Sequence, residues 1–188
     1  MQEVEILVKL DKDLDFCVNQ ISKKIELNNK LRVIDTYFDH IWISKLNPGN
    51  NFRLTNCIRV REKWESSTVT YKQDYFDKDD VWTYSDEYET GIESADSMKE
   101  IFKQLWFTEL VVVDNTKYYF YDNDYELVIE DVIWLWIFLE VEYKSNIKEW
   151  EEINIKNEIK NYINSLWFDE YEEMNAWKPE LILKKNLK

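Results

Sequence analysis

The sequence predicts an α+β fold in a single domain, residues 1–188, built on an antiparallel sheet of about eight strands. Two observations carry that prediction. Segments whose apolar residues alternate with a period of two outnumber those with helical spacing. Strand after strand also places charged residues on one face and apolar residues on the other, so the charged faces are expected to close together as the lumen of a barrel.

The elements follow in order. In residues 2–10, Val4, Ile6, Val8 and Leu10 share one face of a strand, while Glu3, Glu5, Leu7 and Lys9 share the other. Residues 12–28 carry Leu14, Val18, Ile21, Ile25 and Leu27 at roughly helical spacing, with Asp11 as the expected cap. A strand is expected at 31–38 and a loop at 39–51, which holds the Pro-Gly pair and His40, read as a loop residue. Strands follow at 53–63, 67–76, 81–93, 108–121, 124–132 and 137–144. A helix at 95–105 interrupts them, a last helix covers 147–166, and "PELILKK" adds a short element.

Composition excludes several classes of function. The chain is 45% apolar and 33% charged, which fits a folded globular protein. Its net charge of −14, without a basic block, argues against nucleic acid as a partner. The apolar run Val132–Leu139 is far shorter than the roughly 20 residues of a membrane span, and acids bracket it. Two cysteines make no disulfide framework, and the first residues lack a basic segment followed by an apolar one. A cytoplasmic protein, monomer or homodimer, is the expectation.

The charged faces carry the chemistry. Arg59 and Arg61 share a face, as do Glu87 and Glu89, Asn115 and Lys117, Glu126 and Glu130, and Glu140 and Glu142. Lys72 lies with Thr68 and Thr70, and Cys57 lies with the arginines as a small filler. Glutamates bind hard divalent cations such as Mg²⁺ or Mn²⁺. Arginine and lysine bind phosphate oxygens. Together they suit a metal–polyphosphate.

The series "EVE", "DTYFD", "CIRVRE", "TYK", "EYE", "VDNTKYY", "LVIEDV" and "FLEVEY" resembles, in order and nearly end to end, the CYTH superfamily of triphosphate tunnel metalloenzymes. That family includes class IV adenylyl cyclases, thiamine triphosphatases and inorganic triphosphatases. The resemblance implies an eight-stranded antiparallel β-barrel open as a tunnel, with helices packed outside. It implies Glu3, Glu5, Glu130, Glu140 and Glu142 as ligands for Mg²⁺ or Mn²⁺. It implies Lys9, Arg59, Arg61, Lys72 and Lys117 as phosphate binders, and Glu87, Glu89 and Lys72 as catalytic groups. The expected activity is metal-dependent hydrolysis of an inorganic, nucleoside or thiamine triphosphate. The alternatives are a cyclase making cyclic AMP and pyrophosphate from ATP, and a binding module without turnover. Two positions depart from the pattern: Leu7 stands where the first motif, E-x-E-x-K, has lysine, and Asn115 stands where lysine is common. Lys9 keeps the right face about 6.6 Å further along.

Nine Trp against two Gly is an inverted ratio, since glycine averages about 7%. Trp106 and Trp167 follow expected helix ends, Trp64 falls at an expected hairpin, and Trp134 and Trp136 precede the last strand. These, with Trp42 and Trp177, read as glycine positions, as if a UGA codon decoded as glycine had been written as Trp.

Overall fold

The computed structural model describes residues 2–145, 151–166 and 171–186. Its elements are β1 (Gln2–Leu10), α1 (Leu14–Ser22), β2 (Leu27–Asp39), β3 (Asn56–Lys63), β4 (Ser66–Phe76), β5 (Trp82–Ile92), α2 (Ala95–Gln104), β6 (Thr108–Asp122), β7 (Tyr125–Val132), β8 (Ile137–Tyr143), α3 (Glu152–Ser165), β9 (Tyr171–Glu173) and α4 (Lys178–Lys185). Strands lie in the order β5-β4-β3-β2-β6-β7-β8-β1, all antiparallel, and β1 returns to β5 to close an eight-stranded barrel.

Closure is made by a short seam. Gln2 and Glu3 pair with Asp86 and Ser85 of β5. Beyond them, β9 covers the same edge of β1, pairing Val8 to Leu10 with Glu173 to Tyr171. An edge left bare there would be a template for unwanted pairing.

The outward faces of the strands bury the helices. Val4, Ile6 and Val8 of β1 join Leu139 and Val141 of β8 against Ile21 of α1 and Ile155, Ile159 and Ile163 of α3. The three isoleucines recur every four residues, which aligns them in one stripe on the helix. Each such fully buried side chain contributes about 1.5–3 kcal/mol. On the far wall, Phe102 of α2 packs edge-on against Phe38 at 5.0 Å. A separate apolar cluster fills one end of the barrel, where Leu181 and Ile182 of α4 meet Leu7, Tyr37 and Phe138 from its interior. Among the described residues no helix is long and apolar enough to cross a membrane.

The expected strands all form, within a few residues of their expected ends. The helix expected at 12–28 is shorter, running from Leu14 to Ser22, and its cap is Asp13, whose side chain accepts from the Phe16 N–H at 2.8 Å. Leu27 instead begins β2 by pairing with Phe120. The long β6 offers ladder partners there, and tertiary pairing overrides local spacing. The helix expected at 147–166 begins at Glu152 among the described residues, and residues 146–150 lie outside them. β9, three residues long, was too short to show a period.

Of the seven tryptophans read as glycine positions, two take left-handed backbone, Trp106 at φ 67° and Trp134 at φ 68°. Trp42, Trp64, Trp136 and Trp177 have ordinary φ, and Trp167 lies outside the described residues.

Candidate active site

The inward faces enclose a cavity of about 430 Å³. Strand parity brings Glu3, Glu5, Arg59, Arg61, Lys72, Glu87, Glu89, Lys117, Glu140 and Glu142 to its wall, as the sequence led us to expect. Glu126, Lys144 and Asp74 join them.

The basic wall runs from β4 through β3 and β2 to β6, with Glu87 and Glu89 of β5 beside it. Arg61 donates from Nε and Nη2 to the two carboxylate oxygens of Asp35, at 2.7 and 2.8 Å. Arg59 Nη2 lies 3.2 Å from Glu87 and 3.5 Å from Glu89. Thr70 Oγ1 donates to Glu89 at 2.8 Å and accepts from Arg59 at 3.2 Å, tying these groups together. Register explains the grouping, because Arg59 pairs with Thr70 and Thr70 with Glu89.

The acidic wall runs over β7, β8 and β1. There Glu126 is opposite Glu142, and Glu142 is opposite Glu5. Three carboxylates in a row across three strands repel one another unless a cation joins them. Lys72 of β4 supplies part of that charge from past β5, with Nζ 2.7 Å from both Glu3 and Glu5. Burial raises Glu3, but the Lys72 ammonium more than offsets this and holds it at about 2. Glu5 shares that one ammonium, and burial drives it well above the carboxylate range. Burial, then the charge of Glu3, pushes Glu142 up to about 8 despite Lys144 at 2.9 Å.

Further in, Glu130 is fully buried behind the cavity wall. Its Oε1 accepts from Lys117 at 3.1 Å and from Lys178 at 2.7 Å, while its Oε2 is buried without a partner. Lys178 also donates to Glu140 Oε2 at 2.5 Å. Burial raises Glu140, and Lys178, then Lys117, outweigh it and hold the carboxyl well below its ordinary value.

Lys9, expected among the phosphate binders, is not on this wall. Its Nζ pairs with Asp11 at 3.2 Å and Glu172 at 3.6 Å and lies over the Trp136 ring. The strand carries it past the β5 seam to the stretch where β9 covers β1, opposite Glu172. Asn115 is buried 1% exposed, with both amide atoms unpartnered. His40 stacks edge-on against Phe107, outside the cavity. Cys57 lines the cavity as expected, and burial pushes its thiol up to about 12, which leaves it neutral and a poor nucleophile.

Several site residues escaped the sequence reading. Asp35 lies within "DTYFD" and shares the face of Tyr37 on its strand. Lys144 continues the parity of Glu140 and Glu142. Trp177 and Lys178 carry no strand signal, because they enter the barrel from the start of α4.

The donor set suits a divalent cation in kind. It is all carboxylate oxygen, it carries excess negative charge across Glu126, Glu142 and Glu5, and it holds an orphaned buried oxygen on Glu130. As the side chains lie, lysines occupy the carboxylate pairs, and among the described residues no group of three His, Cys, Asp or Glu converges to hold a metal.

A sequence profile of the CYTH domain family matches residues 1–164. A protein of Methanocaldococcus jannaschii named as a candidate adenylate cyclase is 33% identical over 161 residues, covering 85% of this chain and 83% of that protein. A solved structure from Pyrococcus horikoshii superposes with a TM-score of 0.76 at 22% identity, over 97% of this chain and 99% of that one. A candidate adenylyl cyclase from Hippeastrum, described as having a dominant triphosphatase activity, superposes with a TM-score of 0.65 at 13% identity, over 99% and 96%.

Proposed function

The chain belongs to the CYTH domain family, and from that premise we propose that it is a divalent-metal-dependent triphosphatase whose substrate lies in the barrel tunnel. One observation carries the reading: a single cavity has an acidic wall of Glu3, Glu5, Glu140 and Glu142 facing a basic wall of Arg59, Arg61, Lys72 and Lys117. Opposed walls of that kind fit a polyphosphate with its cations, and buried charge of this density is costly without such a ligand.

Arg59 and Arg61 bind phosphate oxygens and hold them through the charge build-up of phosphoryl transfer. Lys72 moves its hydrogen bonds from Glu3 and Glu5 to the phosphate chain. Glu3, Glu5, Glu140 and Glu142 would hold Mg²⁺ or Mn²⁺, which would neutralise phosphate charge when bound. A water oxygen attacks the terminal phosphorus, the bridging P–O bond breaks, and its electron pair leaves on the diphosphate. The water proton passes to Glu87 or Glu89, both held beside Arg59. Product analysis with tripolyphosphate and with ATP, under Mg²⁺ and Mn²⁺, tests the proposal. Release of phosphate from either is expected.

The named cyclase relative favours a second reading, in which the ribose 3′-hydroxyl of ATP attacks the α-phosphorus and diphosphate leaves. Cyclic AMP without free phosphate in the same assay selects it over hydrolysis.

A further inference from the structure

We propose that Lys63, at the open mouth of the tunnel, selects substrates by the charge at their outer end, binding the outer phosphate of inorganic tripolyphosphate where a nucleoside triphosphate presents its sugar; this rests on the triphosphate reading above. β3 carries Lys63 on the face of Arg59 and Arg61, two residues beyond Arg61. Its neighbour Glu62 fixes that parity, because Glu62 points outward and pairs with Lys99 of α2. Arg61, Glu89, Lys117 and Asp35, all groups of the lumen, lie close enough to act on the Lys63 charge.

β4 gives the direction of the tunnel. It runs from Lys72 to Thr68, opposite Arg61, and to Ser66, opposite Lys63 at the β3–β4 hairpin. In the other direction it reaches Asp74, which accepts from Trp177 Nε1 at 3.0 Å beside the start of α4. Leu54 and Lys178 are buried at that inner end. Toward the hairpin, Glu89 and Lys144 line the same cavity with side chains 43% and 46% exposed. A bulky organic group therefore lies at the hairpin end, and a phosphate takes that place only when the substrate is inorganic. The cations of the lumen differ in what holds them. Arg59 is paired with Glu87, Arg61 with Asp35 and Lys144 with Glu142. Lys63 has no ion-pair partner among the described residues. Burial, then the charge of Arg61, lowers its ammonium from the ordinary value, so an anion beside it is favoured. An ammonium offers three donor hydrogens to phosphate oxygens.

Calorimetric titration of the full chain in Mg²⁺, with tripolyphosphate and with ATP, tests the proposal. Lys63→Gln should weaken tripolyphosphate binding about fivefold to tenfold, the loss of one charge-assisted hydrogen bond, and change ATP binding less than about twofold. Lys63→Arg, which keeps the charge, should stay within about twofold of wild type for both ligands. A loss confined to tripolyphosphate and to Lys63→Gln supports the proposal. Unchanged tripolyphosphate affinity in Lys63→Gln, an equal loss for both ligands, or an equal loss in Lys63→Arg overturns it and leaves the triphosphatase reading standing. A wild type that binds ATP alone does the same, and a wild type that binds neither ligand overturns both. If Lys63→Gln does not fold, a crystal structure of the wild type with tripolyphosphate decides. Lys63 Nζ within hydrogen-bond distance of the outer phosphate supports the proposal, and a phosphate chain beyond its reach overturns it.

Discussion

Asp35 and Arg61 face each other across the β2–β3 ladder and make a two-pronged ion pair inside the barrel, at 2.7 and 2.8 Å. Asp35 is 3% exposed, so water does not share the interaction. Removing one partner of such a pair strands the other charge, a loss of about 3–5 kcal/mol. Asp35→Asn keeps the shape and removes the charge. Urea unfolding at neutral pH should show a stability loss of about 3 kcal/mol. A loss under about 1 kcal/mol would mean that Arg61 finds other partners in the tunnel.

The same pair sets an acid dependence. Burial raises the Asp35 carboxyl, but Arg61, then Arg59, outweigh it and hold it far below the usual range. A carboxyl depressed on folding stabilises the protein above its unfolded value of about 3.9 and loses that contribution as pH falls toward the folded value. Wild type should therefore lose stability between about pH 5 and pH 2 more steeply than Asp35→Asn. Parallel curves for the two proteins over that range would remove Asp35 as the cause.

Position, more than charge type, separates the arginines from Lys9. Arg59 is fixed between Glu87 and Glu89 on the cavity wall, whereas the partners of Lys9, Asp11 and Glu172, are 58% and 64% exposed. Exposed pairs contribute about 0–1 kcal/mol. Arg59→Ala should weaken tripolyphosphate binding about tenfold to a hundredfold, while Lys9→Ala changes it less than twofold. A tenfold loss in Lys9→Ala would restore Lys9 to the site.

The barrel and most of its lining could be read from the sequence because parity is a property of one strand at a time. Glu87 and Glu89, or Arg59 and Arg61, declare a shared face without any knowledge of their neighbours. What parity does not encode is how far along the tunnel each residue falls. Lys9 has the inward parity of Glu3 and Glu5, yet lies where β9 has replaced β5 beside β1. The short element expected at "PELILKK" forms as α4, but its place as the end plug was hidden. α4 is eight residues long, and its inward side chains belong to a helix start, which has no period to read. Asp35 differs, since its parity was visible and only its bond to Arg61, 26 residues away, was not.

Metal dependence should be a property of turnover and not of folding. The carboxylates a cation would use already have lysine partners, Lys72 on Glu3 and Glu5 and Lys178 on Glu140. Chelation should abolish triphosphate hydrolysis while the melting temperature moves only a few degrees. Glu140→Gln should likewise remove metal-dependent turnover. Hydrolysis that survives both treatments would place the chemistry elsewhere.

Trp106 and Trp134 occupy backbone built for glycine. At the end of α2 the Phe107 N–H bonds the Phe102 carbonyl at 2.9 Å and the Trp106 N–H bonds the Lys103 carbonyl at 3.1 Å, a Schellman closure with Trp106 in its left-handed position. In the β7–β8 turn the Leu135 N–H bonds the Val132 carbonyl at 3.0 Å, and Trp134 takes the third, left-handed position of that turn. Both side chains are spread into solvent, 78% and 85% exposed, so little packing offsets a strain of about 1–2 kcal/mol. Trp106→Gly and Trp134→Gly should each stabilise the protein by about 1 kcal/mol in urea unfolding. Trp64→Gly is the control, because its side chain is 93% exposed but its φ is ordinary, and it should give no such gain. Trp177→Gly should destabilise, since Trp177 donates to Asp74 and meets the Trp82 ring at 5.1 Å. Peptide mass spectrometry of the protein from its native cells reads the residues directly. Glycine at 106 and 134 is the expected result, and tryptophan at both would show that the strain is native.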